Sequence, residues 1–249
     1  MLDKRGRAAV KMNMFTFIKS LPDPLPGKAD RTRDRILKTA LTLFEKKGYE
    51  NATMREIATQ SDSSLGLAYR YFSSKEELVL AFYQSLSGQF LAQISELPKG
   101  KLAQRFTAAV EAKLALIEPH RELIGVLLSA ALNPASRISV LGKDSAGIRA
   151  RMQNAFERIV RESEDAPAPS TSAALAKLLY VMHLALLYFR VNDRSEGGRA
   201  TRELLAWIEK ALSYLPFASQ VPLFSEGLLQ LAASLDIVFG GHADEHAAT

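Results

Sequence analysis

The chain has 249 residues, of which 47% are hydrophobic and 24% charged, a composition typical of a globular protein with a substantial core. It contains no cysteine, which excludes disulfide bonds, thiolate catalysis and cysteine zinc sites. The net charge of +5 is uneven: residues 1–75 hold 15 Lys and Arg against 8 Asp and Glu, whereas residues 76–249 hold 17 against 19. A basic N-terminal third suits a surface that binds nucleic acid phosphates.

Residues 1–27 form a basic segment that ends in the Pro-rich stretch Leu21–Gly27. The segment lacks the long apolar run and cleavage site of a secretory signal, so we predict a flexible basic extension. Two interpretations of it stay open: a leader without a role, or an arm that reaches a DNA minor groove. Met12 and Met14 are alternative starting residues.

The first predicted helix runs from about Arg31 to Lys47, with Asp30 as its N-cap and Gly48 at its end. Its apolar residues recur at spacings of three and four, so they form one face that packs on the segment that follows. This face consists of Ile36, Leu37, Ala40, Leu41 and Phe44.

A helix-turn-helix is predicted next. Thr53 and Glu56 have the spacing of a capping box, which opens a short helix that the polar stretch Gln60–Ser64 ends. A second short helix covers Leu65–Phe72, and Ser74–Glu77 has the spacing of another capping box. Helices this short need packing partners, and a helix-turn-helix that presents its second helix to a DNA major groove meets that need.

These residues resemble the TetR family of bacterial transcriptional regulators. The resemblance covers about residues 31–83 and differs from the family at Asp62 and Ser63, where the family usually has Gly and an aliphatic residue. It also differs at Leu65, where relatives often carry a polar or basic residue. The matching residues are Ile36, Ala40, Phe44, Gly48, Tyr49, Thr53, Arg55, Ile57, Ala58, Ser64, Gly66, Tyr69, Tyr71, Phe72 and Ser74–Leu78.

The resemblance implies which residues contact DNA. Tyr69, Tyr71 and Lys75 are expected at phosphates, which fix the register of the protein without reading sequence. Arg70 has two possible partners, a guanine edge or another phosphate. The full implied set is Thr53, Arg55, Ser64, Leu65, Gly66, Tyr69, Arg70, Tyr71 and Lys75.

The remaining chain is predicted to be all-helical, because no alternation of apolar and polar residues indicates a strand. We therefore expect an all-α fold: a three-helix DNA-binding domain at residues 28–75, a larger helical effector-binding and dimerisation domain at 76–241, and a flexible tail at 242–249. The predicted helices of the larger domain are Lys75–Leu97, Leu102–Ile117, Leu123–Leu132, Ile148–Arg161, Leu175–Val191, Arg202–Leu215 and Phe224–Phe239.

The most apolar stretch is Leu178–Phe189, which His183 alone interrupts. It is shorter than the roughly 20 residues of a membrane span, so burial in protein is predicted and no membrane association. Burial on all sides in a body of this size indicates a partner subunit. With Phe224–Phe239 it would form a four-helix bundle between two copies, the dimer contact that the resemblance implies.

No enzyme motif is present: the chain has no Gly-x-Ser-x-Gly elbow, P-loop or Gly-x-Gly-x-x-Gly turn, so we predict neither catalysis nor a cofactor. His242 and His246 have a metal-ligand spacing, but they lie in the predicted tail and no metal site is expected. His183 has two interpretations, a core residue or a polar anchor in an effector pocket. The candidate pocket residues are Met152, Phe156, Tyr180, His183 and Trp207.

The sequence therefore predicts a cytoplasmic, homodimeric regulator that binds double-stranded operator DNA, a repressor that a small-molecule effector releases. The alternative is a helical adaptor for protein–protein contact that has lost operator binding, an idea motivated by Asp62 and Ser63. An enzyme is a third and weaker interpretation.

Overall fold

The computed structural model describes residues 28–218 and 222–240, and these residues form helices and loops without a strand. The predicted extension at 1–27 and the tail at 242–249, with His242 and His246, lie outside the described residues. The helices are α1 Lys28–Lys47, α2 Met54–Gln60, α3 Leu65–Tyr71, α4 Lys75–Ser95, α5 Leu102–Ile117, α6 Arg121–Leu132, α7 Ala146–Arg161, α8 Pro169–Asn192, α9 Arg199–Leu212, α10 Leu215–Ala218 and α11 Pro222–Gly240. Short 3-10 turns, Glu118–His120 and Glu196–Gly198, precede α6 and α9.

The predicted all-α architecture is confirmed, and the helices differ from their predicted bounds by a few residues at their ends. α8 is the largest difference, because it begins at Pro169 and has 24 residues. Proline at the first position of a helix needs no backbone N–H, so this start is favourable. By length and composition α8 could cross a membrane. It packs instead against α5, α6, α7, α9 and α11, and that burial accounts for its apolar composition.

The N-terminal helices enclose a core of their own. The predicted face of α1 is buried there, with Ile36, Ala40 and Phe44 fully shielded from solvent. α2 and α3 add apolar residues to the same cluster. The cluster continues past residue 75 into α4, through Leu78 and Phe82. α4 therefore joins the N-terminal helices to the larger body instead of lying wholly in one of them.

The helix starts confirm one predicted capping box and correct another. Thr53 Oγ1 accepts from Glu56 N at 3.2 Å, and Glu56 Oε2 accepts from Thr53 N at 3.0 Å. At α4 Ser74 Oγ accepts from Glu77 N, but Glu77 Oε2 accepts from Ser73 N at 2.7 Å. The second box is thus only half formed, because the Glu77 carboxylate reaches one residue further back.

α6 packs against the N-terminal core and also lines a cavity. Leu123 and Leu127 are buried in the N-terminal cluster, together with the α1 residues. Ile124 and Leu128, the next residues along the same helix, line a cavity in the larger body. Because consecutive residues on a helix point about 100° apart, one rigid helix touches both regions.

Candidate DNA-binding surface and effector cavity

The outer face of α3 is exposed and carries side chains suited to DNA. Tyr69 is 47% exposed, and Gly66 and Arg70 are exposed beside it. A Cβ added to Gly66 would meet nothing within 4 Å, so the packing of the protein itself does not require a glycine there. Leu65 is half-buried at the helix start, where Ser64 Oγ caps the N–H of Leu67 at 3.1 Å. The surface is compatible with close approach to a major groove.

The turn between α2 and α3 keeps its geometry although it lacks the usual glycine. Asp62 has φ 50°, a left-handed conformation that Asp adopts more readily than most residues. Its carbonyl accepts a hydrogen bond from Arg35 Nη2 at 3.2 Å, and Ser63 N donates to Ala58 O at 2.9 Å. Asp62 and Ser63, which motivated the alternative of lost operator binding, therefore form a hydrogen-bonded turn.

Lys75, which is predicted to contact a phosphate, also makes contacts within the protein. Its Nζ donates to the carbonyls of Tyr49 and Glu50 at 2.9 and 3.2 Å, and lies 4.6 Å from the centre of the Tyr49 ring. Tyr49 in turn donates its hydroxyl to Glu76 Oε1 at 2.9 Å. An ammonium has three donors, so one remains for a phosphate. Lys75 thus ties the start of α4 to the turn between α1 and α2.

The other predicted contact residues differ in availability. Arg55 is exposed on α2, whereas Tyr71 is half-buried against the N-terminal core. The hydroxyl of Thr53 is occupied by its capping box. Hydrogen bonds from Lys47, at 2.5 Å, and from Thr53 lower the pKa of Glu56 to about 2. The cap is therefore ionised at every pH at which the protein would meet DNA.

A cavity of about 190 Å³ lies in the larger body, between α4, α5, α6, α7 and α8. Three of the five predicted pocket residues line it, namely Met152, Tyr180 and His183. Phe156 lies behind the wall, fully buried with its ring centroid 4.9 Å from that of His183. The prediction for Trp207 was wrong: its side chain lies on α9, 68% exposed, away from the cavity. Helical spacing of an aromatic residue favours burial, but no part of the described chain covers Trp207.

His183 combines features of a core residue and of a ligand group. It is 2% exposed, and its Nδ1 lies 3.2 Å from Tyr180 O, while Nε2 has no hydrogen-bond partner in the described chain. Burial first, and then the charge of Lys113, lower the pKa of His183 to about 3. The ring is therefore neutral at physiological pH, and its bond to Tyr180 places the proton on Nδ1.

Two cations that the sequence reasoning missed also line the cavity, Lys113 on α5 and Arg149 on α7. Arg149 Nη1 donates to Val140 O and Gly142 O, and its Nη2 donates to Phe239 O, at 3.1 to 3.3 Å. In the sequence both cations resemble ordinary polar residues of amphipathic helices. Only the packing of α5 and α7 reveals that they are buried.

Two protein-family descriptions match this chain, one in the N-terminal helices and one in the larger body. Residues 36–82 match the family described as bacterial regulatory proteins, tetR family. Residues 105–215 match a tetracyclin repressor-like C-terminal domain. The two matches cover the helix-turn-helix and most of the helical body that holds the cavity.

Individual relatives agree with these matches. The chain is 25% identical to the HTH-type transcriptional repressor NicS of Pseudomonas putida, over 79% of this chain and 92% of that protein. It is 36% identical to the HTH-type transcriptional regulator TcmR of Streptomyces glaucescens, over 30% of this chain and 33% of that protein.

Solved structures share the fold. One is a TetR transcriptional regulator from Nitrosomonas europaea, with 19% identity and a TM-score of 0.55 over 74% of this chain and 99% of that one. Another is a tetR-family regulator from Streptomyces coelicolor, with 18% identity and a TM-score of 0.54 over 82% of this chain and 89% of that one.

Proposed function

The chain belongs to the TetR family of bacterial transcriptional regulators, and on that premise we propose that it is a dimeric repressor which a small molecule releases from its operator. Members of this family are DNA-binding regulators and not enzymes. The observation that carries the proposal is the position of α6. One helix contributes both to the core beneath the DNA-binding helices and to the wall of the cavity.

Release would follow from differential binding. A ligand that fits the cavity better after α6 shifts would favour that shifted arrangement. Because Leu123 and Leu127 are packed among the α1 residues, a shift of α6 would displace α1 with it. Two recognition helices in a dimer must match successive major grooves, about 34 Å apart, so a modest displacement weakens operator binding.

The DNA-facing residues are proposed from exposure and residue type. Gly66, Tyr69 and Arg70 form the part of α3 that would enter the groove, with Ser64 and Leu65 at its leading end. Arg55 and one free donor of Lys75 would contact phosphates on either side. Thr53 and Tyr71 would contribute less to DNA binding. The hydroxyl of Thr53 is occupied by its capping box, and the ring of Tyr71 is half-buried against the N-terminal core.

Dimerisation through α8 and α11 is supported by the exposed apolar surface of these helices. Ile237 is 75% exposed and Leu231 58% exposed on α11, and Tyr188 and Phe189 are exposed near the end of α8. α8 and α11 also pack against each other, so their outer faces form one surface. A contiguous apolar surface of this kind indicates a protein partner. We assign that partner as a second copy, acting in the cytoplasm.

The decisive experiment is a binding titration with DNA from the region upstream of the gene and with a scrambled duplex, at several salt concentrations. Arg70→Ala should weaken operator binding by about 1–3 kcal/mol. Lys99→Ala is the matched control, because Lys99 is exposed just beyond the far end of α4, whose 21 residues span about 30 Å from Lys75. Equal losses in both variants, or no binding by the unaltered protein, would overturn the proposal.

A further inference from the structure

Lys113 is a buried cation that forms no ion pair with a carboxylate of residues 28–218 and 222–240. Its side chain, on α5, is 6% exposed, and its Nζ lies 5.0 Å from the centre of the Phe90 ring. Burial lowers the pKa of Lys113 to about 8, so the ammonium form still predominates at neutral pH. A buried charge without a counterion is costly, and buried charges in proteins are usually paired, so an anion bound beside Lys113 would offset this cost.

The charges around the cavity are of one sign. Its lining contains Lys113 and Arg149 but neither Asp nor Glu. Arg149 is held in place by three hydrogen bonds to backbone carbonyls, which use three of its five N–H donors, whereas Lys113 is held by no hydrogen bond to the described residues. Most of the remaining lining is apolar, with leucine and isoleucine side chains from α4, α5, α6, α7 and α8. The lining is therefore complementary to an apolar anion.

His183 supplies a second polar group at the same end of the cavity. Its ring stacks on Phe90, with centroids 6.1 Å apart and planes 7° apart, and Phe90 is also the ring that Lys113 contacts. With Nδ1 bonded to Tyr180 O, the unpaired Nε2 is an acceptor. A ligand that offers a hydroxyl or N–H group near its anionic group would satisfy this atom.

We propose that the cavity binds a compact monocarboxylic acid with an apolar body, whose carboxylate pairs with the Lys113 ammonium. The size fits, because an apolar cavity of roughly 150 Å³ holds one benzene molecule and this one measures about 190 Å³. The inference rests on the proposed function, since it names the chemical class of the effector at that same cavity. Benzoate is a suitable probe, and benzyl alcohol is its neutral counterpart.

The test is calorimetric titration of the full chain with benzoate and with benzyl alcohol. Benzoate should bind more tightly than benzyl alcohol. Lys113→Met should lower the affinity for benzoate by about tenfold or more and leave the affinity for benzyl alcohol unchanged. Lys113→Arg should retain part of the affinity because it retains the charge. Lys99→Met, an exposed lysine, should leave both titrations unchanged.

Two outcomes would overturn the proposal: equal affinity for benzoate and benzyl alcohol, or equal benzoate affinity in Lys113→Met and the unaltered protein. Lys113→Met should fold, because it replaces a buried charge by an apolar chain of similar length, and circular dichroism can verify this. Lys113→Gln repeats the test if it does not. DNA binding without ligand is measured alongside. If DNA binds and benzoate does not, the carboxylate site fails and the regulator assignment stands.

Discussion

At the scale of single residues, Asp62 carries a backbone cost that a substitution can remove. Left-handed geometry is unfavourable for L-residues with a Cβ and neutral for glycine, and Asp62 has φ 50°. Asp62→Gly should therefore raise the free energy of unfolding in urea titrations by about 0.5–1 kcal/mol, because relief of the left-handed strain exceeds the added entropy of glycine in the unfolded chain. Asp34→Gly is the control, since Asp34 lies within α1, where the change from aspartate to glycine should cost about 0.3–0.5 kcal/mol of helix propensity. A loss of stability in both variants would show that the Asp62 side chain stabilises the turn.

Lys75 should affect both stability and DNA affinity. Lys75→Met removes two hydrogen bonds to the carbonyls that end the turn after α1, so we expect a loss of about 1 kcal/mol in the free energy of unfolding. It should also weaken binding to operator and to scrambled DNA by the same factor. The slope of log affinity against log salt concentration should fall by about one per subunit. Lys99→Met should change neither measurement. A selective loss on operator DNA would instead place Lys75 at a base edge.

His183 makes the stability of the fold depend on pH. Its pKa in the folded state, about 3, is below the value of about 6.5 expected in the unfolded chain. The stabilisation from a neutral buried ring is therefore complete above pH 6.5 and declines as the pH falls towards 3. The decline should be about 1.4 kcal/mol per pH unit.

His183→Phe keeps an aromatic ring of similar size and cannot titrate. Urea titrations of both proteins between pH 6.5 and 4, at one protein concentration, should show a steeper loss in the unaltered protein. Parallel curves would mean that His183 is reached by water in the folded state. The same variant also tests the ligand role, because it removes Nε2 from the cavity.

At the scale of elements, two adjacent leucines of α6 should separate the roles of its faces. Leu127 is fully buried in the N-terminal core, so Leu127→Ala should cost about 2–5 kcal/mol of stability and weaken DNA binding. Leu128 lines the cavity, so Leu128→Ala should cost less and leave DNA binding intact. Its effect should appear in ligand affinity. Melting and DNA-binding assays on both variants test this, and equal effects on DNA would contradict two independent faces.

The helices of this fold could be predicted from the sequence because each has its own local evidence. Thr53 caps α2 as its spacing from Glu56 predicts, and the spacing of Ile36, Ala40 and Phe44 gives the buried face of α1. These features depend on residues a few positions apart. The second capping box was only half correct, because a carboxylate at Glu77 can reach either of two neighbouring N–H groups.

The cavity could be predicted only in part. His183 and Tyr180 were found because they lie in a stretch that is apolar all round. Lys113 was missed, since a lysine on a helix is normally solvated and only the approach of α4 and α8 buries it. Trp207 was misplaced for the opposite reason, because no neighbouring helix covers it in the described chain. The burial of Lys113 and the exposure of Trp207 both depend on which helices pack beside them, and local sequence patterns do not specify that packing.

At the scale of the whole molecule, the exposed faces of α8 and α11 predict a dimer. Light scattering should give twice the chain mass of 27.4 kDa at micromolar concentration. Ile237→Glu should shift the mass towards the monomer, because it would bury a charge in an apolar interface. Trp207→Glu is the matched control, an equally exposed large apolar residue on α9. A monomeric unaltered protein, or dissociation caused equally by both variants, would exclude this interface.

The shared helix α6 limits how the protein can be recombined with its relatives. A chimera joined at residue 75 would transplant α1, α2 and α3 onto a foreign α4 and α6. The transplanted helices would lose the buried residues that complete their core here, which are Leu78, Val79, Ala81, Phe82 and Leu86 of α4, Leu123 and Leu127 of α6, and Ile138. Exchange of operator specificity should therefore succeed by grafting the exposed residues of α3 alone, whereas exchange of the entire N-terminal segment requires these eight positions to move with it.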